Sequence, residues 1–346
     1  MGHVAGTSVI GRTHMHDDEH IEDRLLDVLR RRTGISELRY ARPPTRLTGG
    51  FWAEILSVRL DGAPPELDRE LVVRIMPDGT TAQREIAVQT EVAAQGFPTP
   101  SVRLAGGADE GLGRAYMVMD RAEGRILLTG MAGRDLLRAI PRFVSMPDIM
   151  ARLSARLHAL DPEPVRQALR QSAPDAVVDM DAYLDRLEAR ARARDRDDLA
   201  IALGRLRDSR PPRCREVVCH GDLHPLNILL DDGRATLLDW SNALIADPVY
   251  DLAFSALVVA LTPNVRRPVR PLLTVGERGY ARWFLRRYKH HAGPTASRDG
   301  GVLRWHTGLH CLRALVDAAE HGTPGHPFVR AAPALQARLD VVIAQL

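Results

Sequence analysis

Lysine is almost missing from this chain of 346 residues: Lys289 is the only one, and arginine carries nearly all of the positive charge. We read that bias as one of base composition, without functional content. Neither sign of charge is in excess, since 47 basic residues face 44 acidic ones and leave a net charge of +3. No basic run is interleaved with aromatics, which argues against nucleic acid as a partner. Cysteine is scarce too: Cys214, Cys219 and Cys311 cannot form a complete disulfide set, and a reducing, cytoplasmic setting is expected. Cys214, Cys219, His220 and His224 lie close in sequence, but their spacing fits no common structural zinc site, so a buried thiol is the expectation for Cys219. Long apolar runs are absent as well. The longest, Leu252 to Leu261, is too short to span a bilayer and reads as a core helix; no signal sequence is visible, and no membrane partner is expected. No internal repeat is found.

What is present is an ordinary globular composition, 45% apolar and 26% charged, on a chain long enough for two lobes. The most informative stretch is Val217-Val218-Cys219-His220-Gly221-Asp222-Leu223-His224-Pro225-Leu226-Asn227-Ile228-Leu229-Leu230. It reads as an apolar strand, a polar loop and a second apolar strand. A further strand, Ala235 to Trp240, delivers Asp239 to the same kind of strand end. Polar groups gathered at strand ends can converge on one point. Asp and Asn in a loop are by themselves turn formers. Here the His two before the Asp, the Asn five after it and the Asp-ended strand occur together, in the form H-x-D-x-x-x-x-N. A two-metal phosphoesterase is the rival for Gly221-Asp222-Leu223-His224, but the further His and Asp ligands that chemistry needs are not found at other strand ends.

Taken in order, residues 1–16 carry three histidines without periodicity and are expected to be a disordered tail. Ile21, Leu25, Leu26, Val28 and Leu29 recur at helical spacing, and Gly34 closes that helix. Thr48-Gly49-Gly50-Phe51-Trp52 precedes a strand over 53–60; its glycines would let backbone N–H groups approach phosphates, against a plain hairpin turn as the bland alternative. Leu71 to Ile75 is a strand whose one charge, Arg74, sits among apolar residues. A lone buried charge is costly, so a partner is expected, and Glu85 on a helix from Thr81 to Gln95 is nominated. Two strands follow around 102–104 and 115–119. Residues 120–124 read as a hinge between an N-terminal lobe over 17–119 and a C-terminal lobe over 125–346. From Gly130 onwards the pattern is helical. Ile149, Leu153, Leu157 and Leu160 form a stripe beside His158, a packed or capping histidine in this reading, and Asp161-Pro162-Glu163-Pro164 ends that helix. Residues 179–207 read as one charged helical stretch with a solvated face. Helices are expected up to Leu261 and over 274–290, 302–321 and 327–345.

From about residue 35 onwards the chain resembles the aminoglycoside phosphotransferase and choline kinase-like family. The matching pieces are Leu47-Thr48-Gly49-Gly50, Arg84-Glu85, the segment Leu153 to Leu160, His220 to Asn227, Leu238-Asp239-Trp240 and Asp247 to Ala253. The last three segments are specific together. The resemblance implies an α+β, two-lobed, protein-kinase-like fold, with an N-terminal antiparallel sheet plus helix and a mainly helical C-terminal lobe. It implies phosphate transfer from ATP, with GTP as the alternative donor, to a hydroxyl of a small-molecule acceptor, a transferase of the EC 2.7.1 type. Asp222 is then the catalytic base, with His224 near the γ-phosphate where protein kinases place a lysine, and Asn227 and Asp239 are magnesium ligands. Gly49, Gly50, Arg74 and Glu85 would hold the phosphates, with arginine at Arg74 where many members carry lysine. Met119, Asp120 and Ala122 would meet the adenine edge through backbone. His220 and Asp251 are expected to be structural, Asp251 as a carboxylate that holds the loop.

The alternative from another class is a catalytically inactive nucleotide-binding regulatory module of the same fold. Asp222, Asn227 and Asp239 are all intact, and that favours the enzyme. After Asp251 only five acids stand against twelve arginines and one lysine, while Tyr280, Trp283, Phe284, Tyr288 and Trp305 lie on late helices, where some must be core and any that line the cleft would favour an uncharged acceptor. A neutral or partly apolar acceptor, macrolide-like or sugar-bearing, is expected over a polyamine sugar. The assembly is expected to be a monomer or homodimer.

Overall fold

A computed structural model describes residues 20–47, 53–77, 79–127, 136–172, 177–212, 215–260, 270–293, 300–322 and 326–346. The expected tail over 1–16, the glycines Gly49 and Gly50, and Cys214 lie outside the described residues. The chain divides into two compact units, residues 1–82 with 101–121 and residues 83–100 with 122–346.

The first unit is an antiparallel sheet with one helix. Helix α1 (Ile21–Thr33) buries Ile21, Leu25, Val28 and Leu29 along one side. It ends where Gly34 turns left-handed at φ 71° and its N–H closes on the Arg30 carbonyl. The strands are β1 (Arg39–Tyr40), β2 (Thr45–Arg46), β3 (Glu54–Asp61), β4 (Glu70–Met76), β5 (Val102–Gly106) and β6 (Ala115–Asp120). They run in the order β1-β3-β4-β6-β5, with β2 also on β3, and every pairing is antiparallel. Alternation along β4 sends Leu71, Val73 and Ile75 into the core that α1 covers. Arg74 therefore stands on the opposite face, buried, opposite Ile55 on β3 and Met117 on β6. Asp120 ends β6 and takes Arg103 in two hydrogen bonds of 2.8 and 2.6 Å, while its own N–H goes to the Ser101 carbonyl.

Helix α2 (Gly79–Ala94) lies mostly in the second unit, where Val88, Val92 and the following Phe97 join the main core. The physical reason is the segment after it. The Leu237 amide donates to the Pro98 carbonyl, the Thr99 hydroxyl to the Leu237 carbonyl, and the Trp240 indole to the Thr99 hydroxyl. The second unit continues with β7 (Arg125–Ile126), β8 (Val217–Cys219), β9 (Ile228–Asp231), β10 (Arg234–Leu237) and β11 (Leu244–Ala246). Strands β7, β9 and β10 form one antiparallel sheet, and β8 pairs with β11, a strand the sequence reading did not anticipate. Gly124, at φ 111°, runs so close to Leu230 on β9 that a Cβ would meet its carbonyl oxygen. The remaining helices are α3 (Leu136–Leu157), α4 (Pro162–Ser172), α5 (Met180–Arg192), α6 (Asp197–Asp208), α7 (Val249–Ala260), α8 (Arg270–Ala292), α9 (Gly300–His321) and α10 (Pro327–Ile343). None of the helices among the described residues is long and apolar enough to cross a membrane.

Three expectations need correction. The Pro162-Glu163-Pro164 run does not merely stop a helix: it opens α4, because Asp161 caps the Glu163 N–H at 3.0 Å and proline is well placed in a first turn. The charged stretch over 179–207 is two helices, broken at Asp195 with φ 55°. Its helices bury Met180, Leu184, Leu187, Leu199, Leu203 and Leu206 against α9 and α10. Each buried leucine is worth about 1.5–3 kcal/mol, against at most about 1 kcal/mol for an exposed ion pair. The apolar stripe, not the charge pattern, therefore sets how these helices lie. Finally, Tyr280, Phe284, Tyr288 and Trp305 are core residues, and of the five late aromatics only Trp283 is exposed.

Candidate active site

Strand β8 ends at Cys219, and the polar loop begins there. Gly221 takes φ 73°, and a Cβ at that position would overlap the Asn242 carbonyl oxygen, so glycine alone lets the loop run this close to its neighbour. The loop is held from beneath by a buried carboxylate. Asp251, fully buried in the first turn of α7, accepts the His220 N–H at 2.8 Å on Oδ2 and the Gly221 N–H at 2.7 Å on Oδ1. His158, just after α3, donates from Nε2 to Asp251 at 3.2 Å and meets the Tyr288 hydroxyl through Nδ1 at 2.9 Å. Asp251 and His158 are thus structural, as read from the sequence. His220 is as well: its Nδ1 accepts the Asp222 N–H at 3.2 Å, so Nε2 carries the proton and donates to the Leu238 carbonyl at 3.0 Å. Burial holds its pKa below the ordinary imidazole value, against the pull of Asp251, Asp222 and Asp239.

On top of this support sits Asp222, its side chain 21% exposed. Asn227 Nδ2 donates to the Asp222 carbonyl at 3.0 Å and to Oδ2 at 3.3 Å. His224 caps a 3₁₀ turn over Pro225–Asn227, accepting the Leu226 N–H on Nδ1; its Nε2 comes within 3.6 Å of Asp222 Oδ2. The other carboxylate oxygen lies 3.5 Å from Arg313 Nη2. Burial alone would raise the Asp222 pKa. The neighbouring His224, Arg313 and His220 outweigh it and bring the value down to about 2. The carboxylate is ionised throughout the physiological range.

The β9–β10 hairpin brings in the third acid. Its register pairs Ile228 with Leu237, so Asn227 and Asp239 leave the same end of the ladder, and the Leu238 amide closes on the Asn227 carbonyl at 2.8 Å. Asp239 then turns left-handed, φ 66°, with Oδ1 accepting the Ser241 hydroxyl at 2.7 Å. The expected strand to Trp240 accordingly stops at Leu237, and Trp240 packs fully buried against His220 and Phe97. Arg84 on α2 donates to the Ser241 carbonyl and ties the helix to this turn. With Asn227 Nδ2 committed to Asp222, the amide presents Oδ1 on its other side. An amide oxygen and a carboxylate at one end of a hairpin are the hard donors that magnesium takes.

The structure therefore brings together Asp222, His224, Asn227 and Asp239 in one unit. Glu85 is buried on α2 in that unit, and Arg74 is buried in the other on β4; Met119 and Asp120 close β6, and Ala122 follows, half-buried. Sequence reasoning missed Arg313, Ser241 and Ser255, whose hydroxyl donates to the Leu223 carbonyl at 2.7 Å. Arg313 carried a usable signal: it is the only charge in the apolar run Leu309 to Val316, the same reasoning that singled out Arg74.

No curated protein matches this chain. Solved structures do. A Ralstonia eutropha protein provisionally designated an aminoglycoside phosphotransferase superposes with a TM-score of 0.63 at 14% identity, over 93% of this chain and 97% of that one. A choline/ethanolamine kinase family protein from Mesorhizobium loti gives 0.58 at 17% identity, over 93% and 95%. A thermostable aminoglycoside phosphotransferase mutant, in ternary complex with AMP-PNP and hygromycin B, gives 0.51 at 19% identity, over 92% and 97%. At these identities the likeness establishes the α+β, protein-kinase-like fold that the sequence suggested. The family model described as the phosphotransferase enzyme family matches residues 64–291, well over half of the 346, and with it this chain belongs to that family.

Proposed function

We propose that this protein transfers the γ-phosphoryl group of ATP to a hydroxyl of a small molecule, with Asp222 as the base. The observation that carries the reading is the fixed, ionised Asp222 carboxylate, with Asn227 and Asp239 presented at the adjoining hairpin end. Phosphoryl transfer asks little covalent chemistry of a protein; positioning and charge compensation do most of the work. Asp222 orients the acceptor hydroxyl. As the new O–P bond forms and the bond to the bridging oxygen of ADP breaks, the hydroxyl proton passes to the carboxylate. A carboxylate with a pKa near 2 is a weak base, so the proton moves late, once the attacking oxygen has become acidic through bonding to phosphorus. Asn227 and Asp239 would hold magnesium, which when bound would offset the charge of the phosphate oxygens. Arg74, Glu85, Gly49 and Gly50 are the proposed phosphate-side residues, and the backbone of Met119, Asp120 and Ala122 the adenine side.

The acceptor reading is a hydroxyl compound without multiple positive charges. The two acids of α9 are already spent, since Arg190 takes Asp317 at 2.6 Å and Glu320 at 2.6 Å. Arg313, a fixed cation, stands beside the base. The aromatic part of the earlier expectation has no such support, because four of those five rings are core.

The test is magnesium-dependent ATP consumption over erythromycin, hygromycin B, kanamycin, choline and glucose, with wild type and Asp222→Asn. A fall in turnover of about a hundredfold or more in the variant, with nucleotide binding kept, is expected. Turnover within a few-fold of wild type removes Asp222 from the mechanism. A nucleotide-dependent rise in melting temperature without turnover on any compound would favour the regulatory module instead; at a hundred times the dissociation constant such binding adds about 2.7 kcal/mol.

A further inference from the structure

Arg313 is a buried cation, its side chain 5% exposed, in the middle of helix α9. Burying a lone guanidinium is costly, so its contacts must compensate. Nη1 donates to the Gly221 carbonyl at 2.7 Å, one residue before the base, and Nη2 lies 3.5 Å from Asp222 Oδ1. Its Cζ lies over the Phe254 ring, 4.8 Å from the centroid, and Nε lies 3.7 Å from Asp317 Oδ2. Asp317 is itself fixed from α5, where Arg190 holds it at 2.6 Å together with Glu320. All three guanidinium nitrogens therefore have partners: Nε faces an oriented acid, and two nitrogens face the loop that carries the base, with an aromatic ring beside Cζ.

We propose that Arg313 is a positioning residue for phosphoryl transfer. It fixes the plane of the Asp222 carboxylate by holding Gly221 and Asp222 at once, opposite Asn227 and His224 on the other oxygen. The planar fork matters as well as the charge. A lysine head could satisfy the carbonyl or the carboxylate but not both in this geometry. The acceptor hydroxyl then meets a carboxylate that does not rotate, which is where a displacement of about 1 Å can cost a hundredfold in rate. This rests on Asp222 as the base, and the experiment separates the two.

Arg313→Met, Arg313→Lys, Asp222→Asn and the Arg313→Met/Asp222→Asn double variant are compared with wild type on whichever panel compound gives the highest turnover. Folding is checked by melting temperature and magnesium–ATP binding by its shift. Arg313→Met should lose about tenfold to a hundredfold in kcat, with the KM for the acceptor and the nucleotide affinity within about threefold of wild type. Arg313→Lys should fall between the two, and it alone carries the test if Arg313→Met does not fold. In the Asp222→Asn background Arg313→Met should cost nothing further, because there is no base left to position. The proposal is overturned if a folded Arg313 variant keeps kcat within about threefold, if the loss lies in KM, or if the losses multiply in the double variant. If Asp222→Asn itself retains turnover, the base assignment falls, whatever Arg313 does.

Discussion

Asp251 accepts the backbone N–H of Gly221 at 2.7 Å, reaching across 30 residues of sequence to hold the loop that carries the candidate base. The same carboxylate takes the His220 N–H and His158. Asp251→Asn keeps the shape but turns a donor toward backbone N–H groups and leaves one without an acceptor. A loss of roughly 3–5 kcal/mol is expected, read as a lower urea midpoint. The loss should also depend on pH. Burial pushes the Asp251 pKa up, but His158, His220 and the His220 amide pull it below the ordinary carboxylate value. A group with a depressed folded-state pKa stabilises above its unfolded pKa, and that stability disappears as pH falls through the folded value. The gap between wild type and Asp251→Asn should be full at neutral pH and should narrow below about pH 4; a gap independent of pH would contradict the ionised, loop-holding role.

Gly221→Ala tests the close approach of loop to loop. The alanine would have to keep a left-handed φ of 73° with its methyl against the Asn242 carbonyl. A cost of about 2 kcal/mol or more is expected, with turnover lost beyond what the stability change explains, because Asp222 is the next residue. An unaltered melting temperature and unaltered kcat would show that the loop can relax.

Asp239→Asn should abolish the magnesium-dependent part of ATP binding while leaving the fold intact. Ser241 can still donate to the remaining oxygen, so the turn should survive. The readout is ATP affinity titrated against magnesium. A titration curve that matches wild type would remove Asp239 from the ligand set.

Aminoglycosides should be poor acceptors. A polycation needs unspent carboxylates near the base, and Asp317 and Glu320 are both engaged by Arg190. Turnover of kanamycin should be far below that of a neutral panel compound. Saturable, magnesium-dependent phosphorylation of kanamycin at micromolar KM would sink this reading.

The sequence by itself determined the elements whose signals are local. Helix α1 with its Gly34 stop, strands β3, β4 and β6, and the His220–Asn227 loop between two strands were all legible, because periodicity, caps and spacing act within a few residues. The H-x-D-x-x-x-x-N spacing within that loop was legible for the same reason. What only the tertiary structure decided depends on residues far apart in the chain. The pairing of β8 with β11, the docking of Thr99 against Trp240, and the burial of the late aromatics are long-range choices that no local pattern encodes. The charged helices α5 and α6 misled for a related reason: their ion pairs are conspicuous in sequence, but burial of the leucine stripe is energetically larger and sets their packing. Arg313 shows the limit most clearly. The sequence places one arginine in an apolar run; only the folding of α9 against the loop puts its guanidinium 2.7 Å from the Gly221 carbonyl and beside Asp222.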